Sequence, residues 1–263
     1  MGAVSAVWQF RGFVLGSVKR EIQAKYRNSL FGFAWVVIQP LAMIVVYTVI
    51  FSQLMRARLP GVEGTFAYSI YLCAGILTWG LFAEVMHRMV VVFIDNANLI
   101  KKLNFPRLCL PLIVVLSAGF NFAIVLGLFF VFLLLSGNFP GWAVLALAPL
   151  LLVQLLFSAG LGGVLGVLNV FFRDVGQLFG VVLQFWFWFT PIVYPISVLP
   201  DWAASLMQLN PMLPLMEAYQ GILVTGSWPD WGRVAPIAGV AALMCAYSVM
   251  LFKKHAGDMV DEL

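Results

Sequence analysis

The run FWFWFTPIVYP, residues 185–195, sets five aromatic side chains in succession and then two prolines, with no charge among them. Flat apolar rings can stack on a passing ligand or anchor a helix at a lipid interface, where Trp is enriched. Five consecutive helical residues go all the way round the axis, so they cannot all face one way. Phe185, Trp188 and Phe189 share a face, Trp186 pairs with Phe189, and Tyr194 follows the first proline. Both uses, the wall of a pathway and a lipid belt, stay open to these rings. A second feature is Glu84, the one acid placed within an apolar run. An unpaired charge at a bilayer centre costs about 2.5–3.5 kcal/mol on insertion scales. Arg88 lies four residues on, in the favourable acid-first order. That spacing favours an intrahelical ion pair over a proton relay.

Other chemistry is missing. The sequence has no G-x-x-x-x-G-K-[ST] loop, no H-E-x-x-H and no nucleophile elbow. Cys73, Cys109 and Cys245 are scattered in apolar surroundings, and His87 and His255 are isolated, so no metal site is expected. Asp201, Glu217 and Asp230 are separated by proline-broken sequence and form no catalytic acid pair. An enzyme of lipid-linked sugar metabolism would need such a cluster.

The solvent follows from composition. Of 263 residues, 63% are hydrophobic and 10% charged, and the mean hydropathy is +1.00. A soluble domain carries about a quarter charged residues. An integral membrane protein, all-α, is therefore expected. Six apolar stretches approach or exceed the ~20 residues that cross a bilayer, at about 33–55, 68–86, 110–136, 142–172, 178–198 and 234–252. Placing the N-terminus inside assigns twelve of the 15 Lys and Arg to cytoplasmic segments and leaves Arg56, Arg58 and Arg233 outside. Positive residues mark the cytoplasmic side, so both ends are expected there. The net charge of +4 is explained by anionic lipid headgroups and needs no nucleic acid. Arg11, Lys19, Arg20 and Glu21 interrupt the start, which reads as no cleavable signal peptide.

Three segments do not span. In residues 1–32, Val7, Trp8, Val14, Leu15, Val18 and Ile22 gather on one side of a helical wheel, away from Lys19, Arg20 and Arg27. An amphipathic helix along the cytoplasmic leaflet is expected. In DNANLIKKLNFPRL, residues 95–108, Asp95 or Asn96 could cap a short helix carrying Leu99, Ile100 and Leu103. It suits a docking surface and equally a positively charged anchor. Residues 200–233 are too apolar for a free loop and are broken by Pro211 and Pro214, which fits short external re-entrant or interfacial helices. In GLGGVLG, residues 160–166, Gly162-x-x-x-Gly166 allows close helix packing, between spans or between protomers.

With these features in place, residues 19–52, KREIQAKYRNSLFGFAWVVIQPLAMIVVYTVIFS, resemble the start of the ABC-2 type permeases that export bacterial O-antigen, capsule or teichoic acid. NANLIKKLNFPR resembles that family's cytoplasmic loop after the second span, and FFRDVGQL, residues 171–178, the loop after the fourth. The resemblance implies a homodimer bound to two copies of a separate ATPase subunit, which would hold ATP and Mg; this chain would hold no cofactor. It makes the first helix an interface helix, with Trp8, Leu15, Val18, Arg20 and Ile22. It makes 95–107 the coupling helix, with Asn96, Asn98, Leu99, Ile100, Lys101, Lys102, Asn104 and Arg107. Arg173 and Asp174 would add a smaller contact, 200–233 would cap the exit, and 253–263 would be a cytoplasmic tail. A lipid-linked glycan threaded between protomers requires a wall that holds sugar weakly at many places. Aromatic faces against pyranose C–H faces meet that requirement, so Phe185, Trp186, Trp188, Phe189 and Tyr194 are its candidates.

Overall fold

A computed structural model describes residues 9–26, 34–50, 66–102 and 106–263. Every regular element among them is helical. The elements are α1 (Arg11–Tyr26), α2 (Trp35–Thr48), α3 (Ala67–Asp95), α4 (Ala97–Lys102), α5 (Cys109–Leu135) and α6 (Leu147–Phe171). They continue with α7 (Asp174–Trp188), α8 (Asp201–Met207), α9 (Leu213–Thr225), α10 (Trp231–His255) and α11 (Asp258–Glu262).

Among the described residues, four helical stretches are long and apolar enough to cross a membrane: Ala67–Asp95, Cys109–Leu135, Gly141–Phe171 and Trp231–His255. They coincide with four of the six expected spans. The stretch at 33–55 appears as α2, whose last expected residues lie outside the described ones. The stretch at 178–198 does not form one continuous helix. It becomes the 15-residue α7, about 22 Å long at 1.5 Å per residue, followed by an irregular turn and a short 3-10 turn at Ile196–Val198. Pro191 explains the stop, because proline lacks a backbone donor and disfavours helix at the residue before it.

The hub is α3. Within its span window 72% of the residues are buried, against 22%, 39% and 11% for the other three. It packs on α5, α6 and α9, while α6 also holds α10, and α1 and α2 lie on α5. Between α3 and α6 the helices approach so closely that only glycine fits. A Cβ on Gly162 would stand 2.6 Å from Met89 Cβ, and one on Gly166 would stand 2.5 Å from the Met89 carbonyl oxygen. Gly160 meets α10 instead, with a Cβ 2.6 Å from Cys245 N. The glycine run thus serves contacts between spans within one protomer. Beside it, Asn169 is buried and donates to the Val90 carbonyl at 3.0 Å while accepting from Gly176 N at 2.8 Å. One side chain ties α3, α6 and α7.

Gly166→Ala must therefore shift backbone, and a loss of about 1–3 kcal/mol is expected from overpacking. Gly180→Ala is the control, since a Cβ there meets nothing within 4 Å. Unfolding titrations in bicelles should show the first destabilised and the second unchanged; equal behaviour would contradict the seam.

Candidate functional site

Irregular backbone at membrane depth survives only if its polar groups find partners inside the protein. The turn after α7 meets this condition with side chains from distant elements. Tyr68 donates to the Val193 carbonyl at 2.7 Å, and the Tyr71 hydroxyl lies 2.9 and 3.0 Å from the Pro191 and Tyr194 carbonyls. Gln220 Nε2 donates to the Pro191 carbonyl at 3.1 Å. Asn210 closes the other side. Its Nδ2 donates to the Phe189 carbonyl and to Thr190 Oγ1, both at 2.9 Å, and its Oδ1 accepts from Trp186 Nε1 at 2.8 Å and Met212 N at 2.9 Å. The turn presses on α3 at Gly75, where a Cβ would stand 2.9 Å from Gln220 Nε2 and 3.1 Å from the Ile192 carbonyl. Tyr194 reaches back to the Trp188 carbonyl, sealing the last turn of α7.

This anchoring divides the aromatic run. Phe185, Trp188 and Phe189 are 62%, 58% and 53% exposed on the protomer surface. Leu178, Val181 and Val182 extend their stripe along α7. Trp186 and Phe187 turn inward. The Trp186 ring meets Phe82 edge-on at 5.2 Å and lies 6.3 and 6.5 Å from Trp79 and Phe157, and Phe187 meets Trp79 at 5.8 Å. Trp186 is therefore a core anchor hydrogen-bonded to Asn210, and it neither pairs with Phe189 nor stands on the exposed face. Of the five pathway candidates, the structure brings three rings onto one surface, and Tyr194 sits in the turn beside them.

At the Asp95 end of α3 lies a second group of candidates. Helix α3 runs nine residues past the expected span end, so Arg88 belongs to the same rod. Asn96 breaks it. Its Nδ2 donates back to the Val92 carbonyl at 2.8 Å, while its own carbonyl accepts from Leu99 N and Ile100 N. The expected side-chain cap on α4 is thus replaced by a bond to α3, because that carbonyl is the nearer orphan acceptor. In α4, Asn98, Lys101 and Lys102 are exposed and Leu99 is half-buried, but Ile100 is buried. Ile100 anchors the helix instead of projecting as a docking knob. Arg107 is likewise turned inward, donating to the Ala256 carbonyl. Arg173 and Asp174 are exposed at the start of α7. Asn104 lies outside the described residues.

Helix α1 packs on α5 with Val14 buried and Val18 and Ile22 half-buried. Leu15 is exposed, off the inward side of the helix, and Arg20 donates to Ser17 Oγ at 2.9 Å. Trp8 and Val7 lie outside the described residues. A contact that sequence reasoning missed joins this helix to α3: Glu21 forms an ion pair with Arg88. Arg88 also donates to Ser117 Oγ at 3.0 Å and lies 3.9 Å from Glu84. Asn121 Nδ2 supplies Glu84 with a further donor at 3.3 Å. The carboxylate is thus held by a cation and an amide, the arrangement of a structural ion pair. It borders a cleft of about 360 Å³ between α2, α3 and α5, where Gln39 and Pro40 form the opposite wall.

The inward and outward rings should separate in stability measurements. Trp186→Ala removes a packed ring and a hydrogen bond and is expected to cost about 3–5 kcal/mol. Asn210→Ala strands several polar groups, for about 1–3 kcal/mol. Trp188→Ala is expected to stay within about 0.5 kcal/mol of wild type. Comparable losses at Trp186 and Trp188 would contradict the assignment of faces.

Comparison with known proteins gives this arrangement its context. The chain is 30% identical over 262 residues to an O-antigen export system permease protein, RfbA, of Myxococcus xanthus, covering 99% of this chain and 98% of that one. It is 28% identical over 209 residues to an RfbA protein of Klebsiella pneumoniae, covering 79% and 78%. A polysialic acid transport protein, KpsM, of Escherichia coli shares 20% identity over 214 residues, 79% of each chain. The pattern of the ABC-2 type transporter family matches residues 14–224, from the first helix through the outward aromatic stripe to α9. This chain belongs to the ABC-2 type transporter family.

Proposed function

We propose that this chain is the membrane permease subunit of an ABC exporter of lipid-linked polysaccharide, with O-antigen as the class of cargo. The observation that carries the reading is the match to an O-antigen export permease across 99% of the chain. Membership of the family implies a multi-pass membrane protein that works with an ATPase subunit. In this role the chain crosses the inner membrane six times, with α2 and α7 as the shorter two crossings and both ends cytoplasmic. Two copies of the chain form the pathway, and two ATPase subunits hold ATP and Mg. The domain reading keeps residues 1–32 as the interface segment and 33–252 as the membrane domain. Within it, 95–107 couples to the ATPase and 200–233 gates the exit.

The chemistry supports this assignment at two places. Phe185, Trp188 and Phe189 offer apolar faces on a surface stripe that contains no charge. Each ring can hold a pyranose face weakly, with hydroxyls left to water, so a long polymer can be bound and released in steps. At the other end, α4 is fastened to the end of α3 at Asn96, whose amide donates to the Val92 carbonyl, so a push on α4 is delivered to a single buried helix. Nucleotide-driven closure of the ATPase pair thereby reshapes the gap between protomers.

The test is deletion of the gene in its host and complementation with wild type or with Phe185→Ala/Trp188→Ala/Phe189→Ala. Loss of the gene should remove surface glycan and build up lipid-linked glycan inside. The triple variant should insert normally and lower surface glycan by roughly three- to tenfold, the scale of one to two weak stacking contacts. Normal export by that variant would assign the rings to a lipid belt. Unchanged glycan pools after deletion would overturn the polysaccharide reading in favour of a small hydrophobic cargo.

A further inference from the structure

The segment after α10 reads from sequence as a plain tail, yet it folds back against the face that carries α4. Helix α11 packs on both α4 and α6. Met259 from α11 and Ile100 from α4 are both buried in the apolar core that runs through the chain. The turn between α10 and α11 is fastened at both sides. Arg107, from the segment that follows α4, donates to the Ala256 carbonyl. His255 Nδ1 lies 3.2 Å from Asp258 Oδ2, and the His255 ring meets Phe171 edge-on at 5.7 Å.

A six-residue helix has no stability of its own, because nucleation costs more than one or two turns return. Helix α4 therefore holds its place only through what it packs on. Asn96 fixes its first turn to α3, and α11 stands where a second support is required. Lys101 and Lys102 are exposed on α4, so its polar side is open to a partner while Ile100 is held inside.

We propose that α11 is a bracket that positions α4, the helix on which the ATPase subunit acts. Met259, the buried residue of α11, is the positioning residue. This inference rests on the exporter reading above, which supplies the ATPase as occupant.

The experiment co-expresses the chain, tagged at its N-terminus, with the ATPase subunit of the same host and measures the ATPase retained per permease on purification. Met259→Asp should retain roughly tenfold less ATPase, the loss of one interface anchor, while Met259→Leu should retain the wild-type amount. A chain lacking residues 258–263 keeps every span, so its membrane level and elution volume report folding independently, and its retention should fall as Met259→Asp does. Wild-type retention by both Met259→Asp and the shortened chain would overturn the bracket and leave the exporter reading intact. Failure of the wild-type chain to retain any ATPase would overturn the exporter reading and this inference with it.

Discussion

Met89 lies across two glycines of α6, and the rest of the protomer is arranged around that seam. In a bilayer, lipid tails are as apolar as leucine, so helices gain little from hiding apolar surface and must associate by close packing and hydrogen bonds. Gly162 and Gly166 let the α3 backbone approach to the distance at which Met89 touches α6. Gly160 and Gly163 give the other side of α6 to α10, where a side chain on Gly163 would strike Ser248. Helix α3 is thereby fixed as a buried rod, with Asn169 pinning its lower half at Val90. Gly75 admits the α7 turn near its other end. The aromatic stripe and α4 are both mounted on this rod.

The turn after α7 shows what an irregular segment needs in such a setting. Proline ends the helix and leaves carbonyls without partners, and Tyr68, Tyr71, Asn210 and Gln220 supply the missing donors. The same bonds orient the rings. Because Asn210 accepts from Trp186, that indole is held against Phe82, and the helical rotation then places Phe185, Trp188 and Phe189 on the surface. Anchoring and exposure are two results of one geometry.

Much of this was legible in the sequence, and the parts that were not share a cause. Apolar runs located four spans, three of them to within three residues at each end and α3 with an end nine residues short, and the Asp95–Leu108 pattern placed a short helix where α4 stands. Helical spacing also grouped Phe185, Trp188 and Phe189. Spacing says which residues share a face but not which face is inward, and in a membrane both faces are apolar. For that reason spacing leaves open whether Ile100 faces a partner or the core, and whether Trp186 faces a pathway, the lipid or the core. The partners that decide the matter are remote: Asn210, which accepts from Trp186, lies 24 residues beyond it, and Tyr71, which donates to the Pro191 carbonyl, lies 120 residues before it. The fifth span reads as running to 198 because hydropathy registers composition, whereas the end of its helix depends on the donors, Tyr71 and Gln220, that satisfy the Pro191 carbonyl. Arg88 was read with Glu84, its neighbour on the helix, while its closer partner Glu21 belongs to a different element.

In the proposed dimer, each copy of the chain moves as one body about α3, so that motion at α4 reaches the aromatic stripe undiminished. Spin labels at Asn98→Cys on α4 and Ser197→Cys beyond the α7 turn bracket the rod, in a chain whose Cys73, Cys109 and Cys245 are replaced by alanine. Doubly labelled protomers diluted among unlabelled ones, assembled with the ATPase, give the distance within one protomer by pulsed dipolar spectroscopy. Singly labelled protomers give the distance across the dimer. A rigid rod requires the first distance to stay constant with and without ATP while the second changes. A nucleotide-dependent change in the first, with the second fixed, would contradict it.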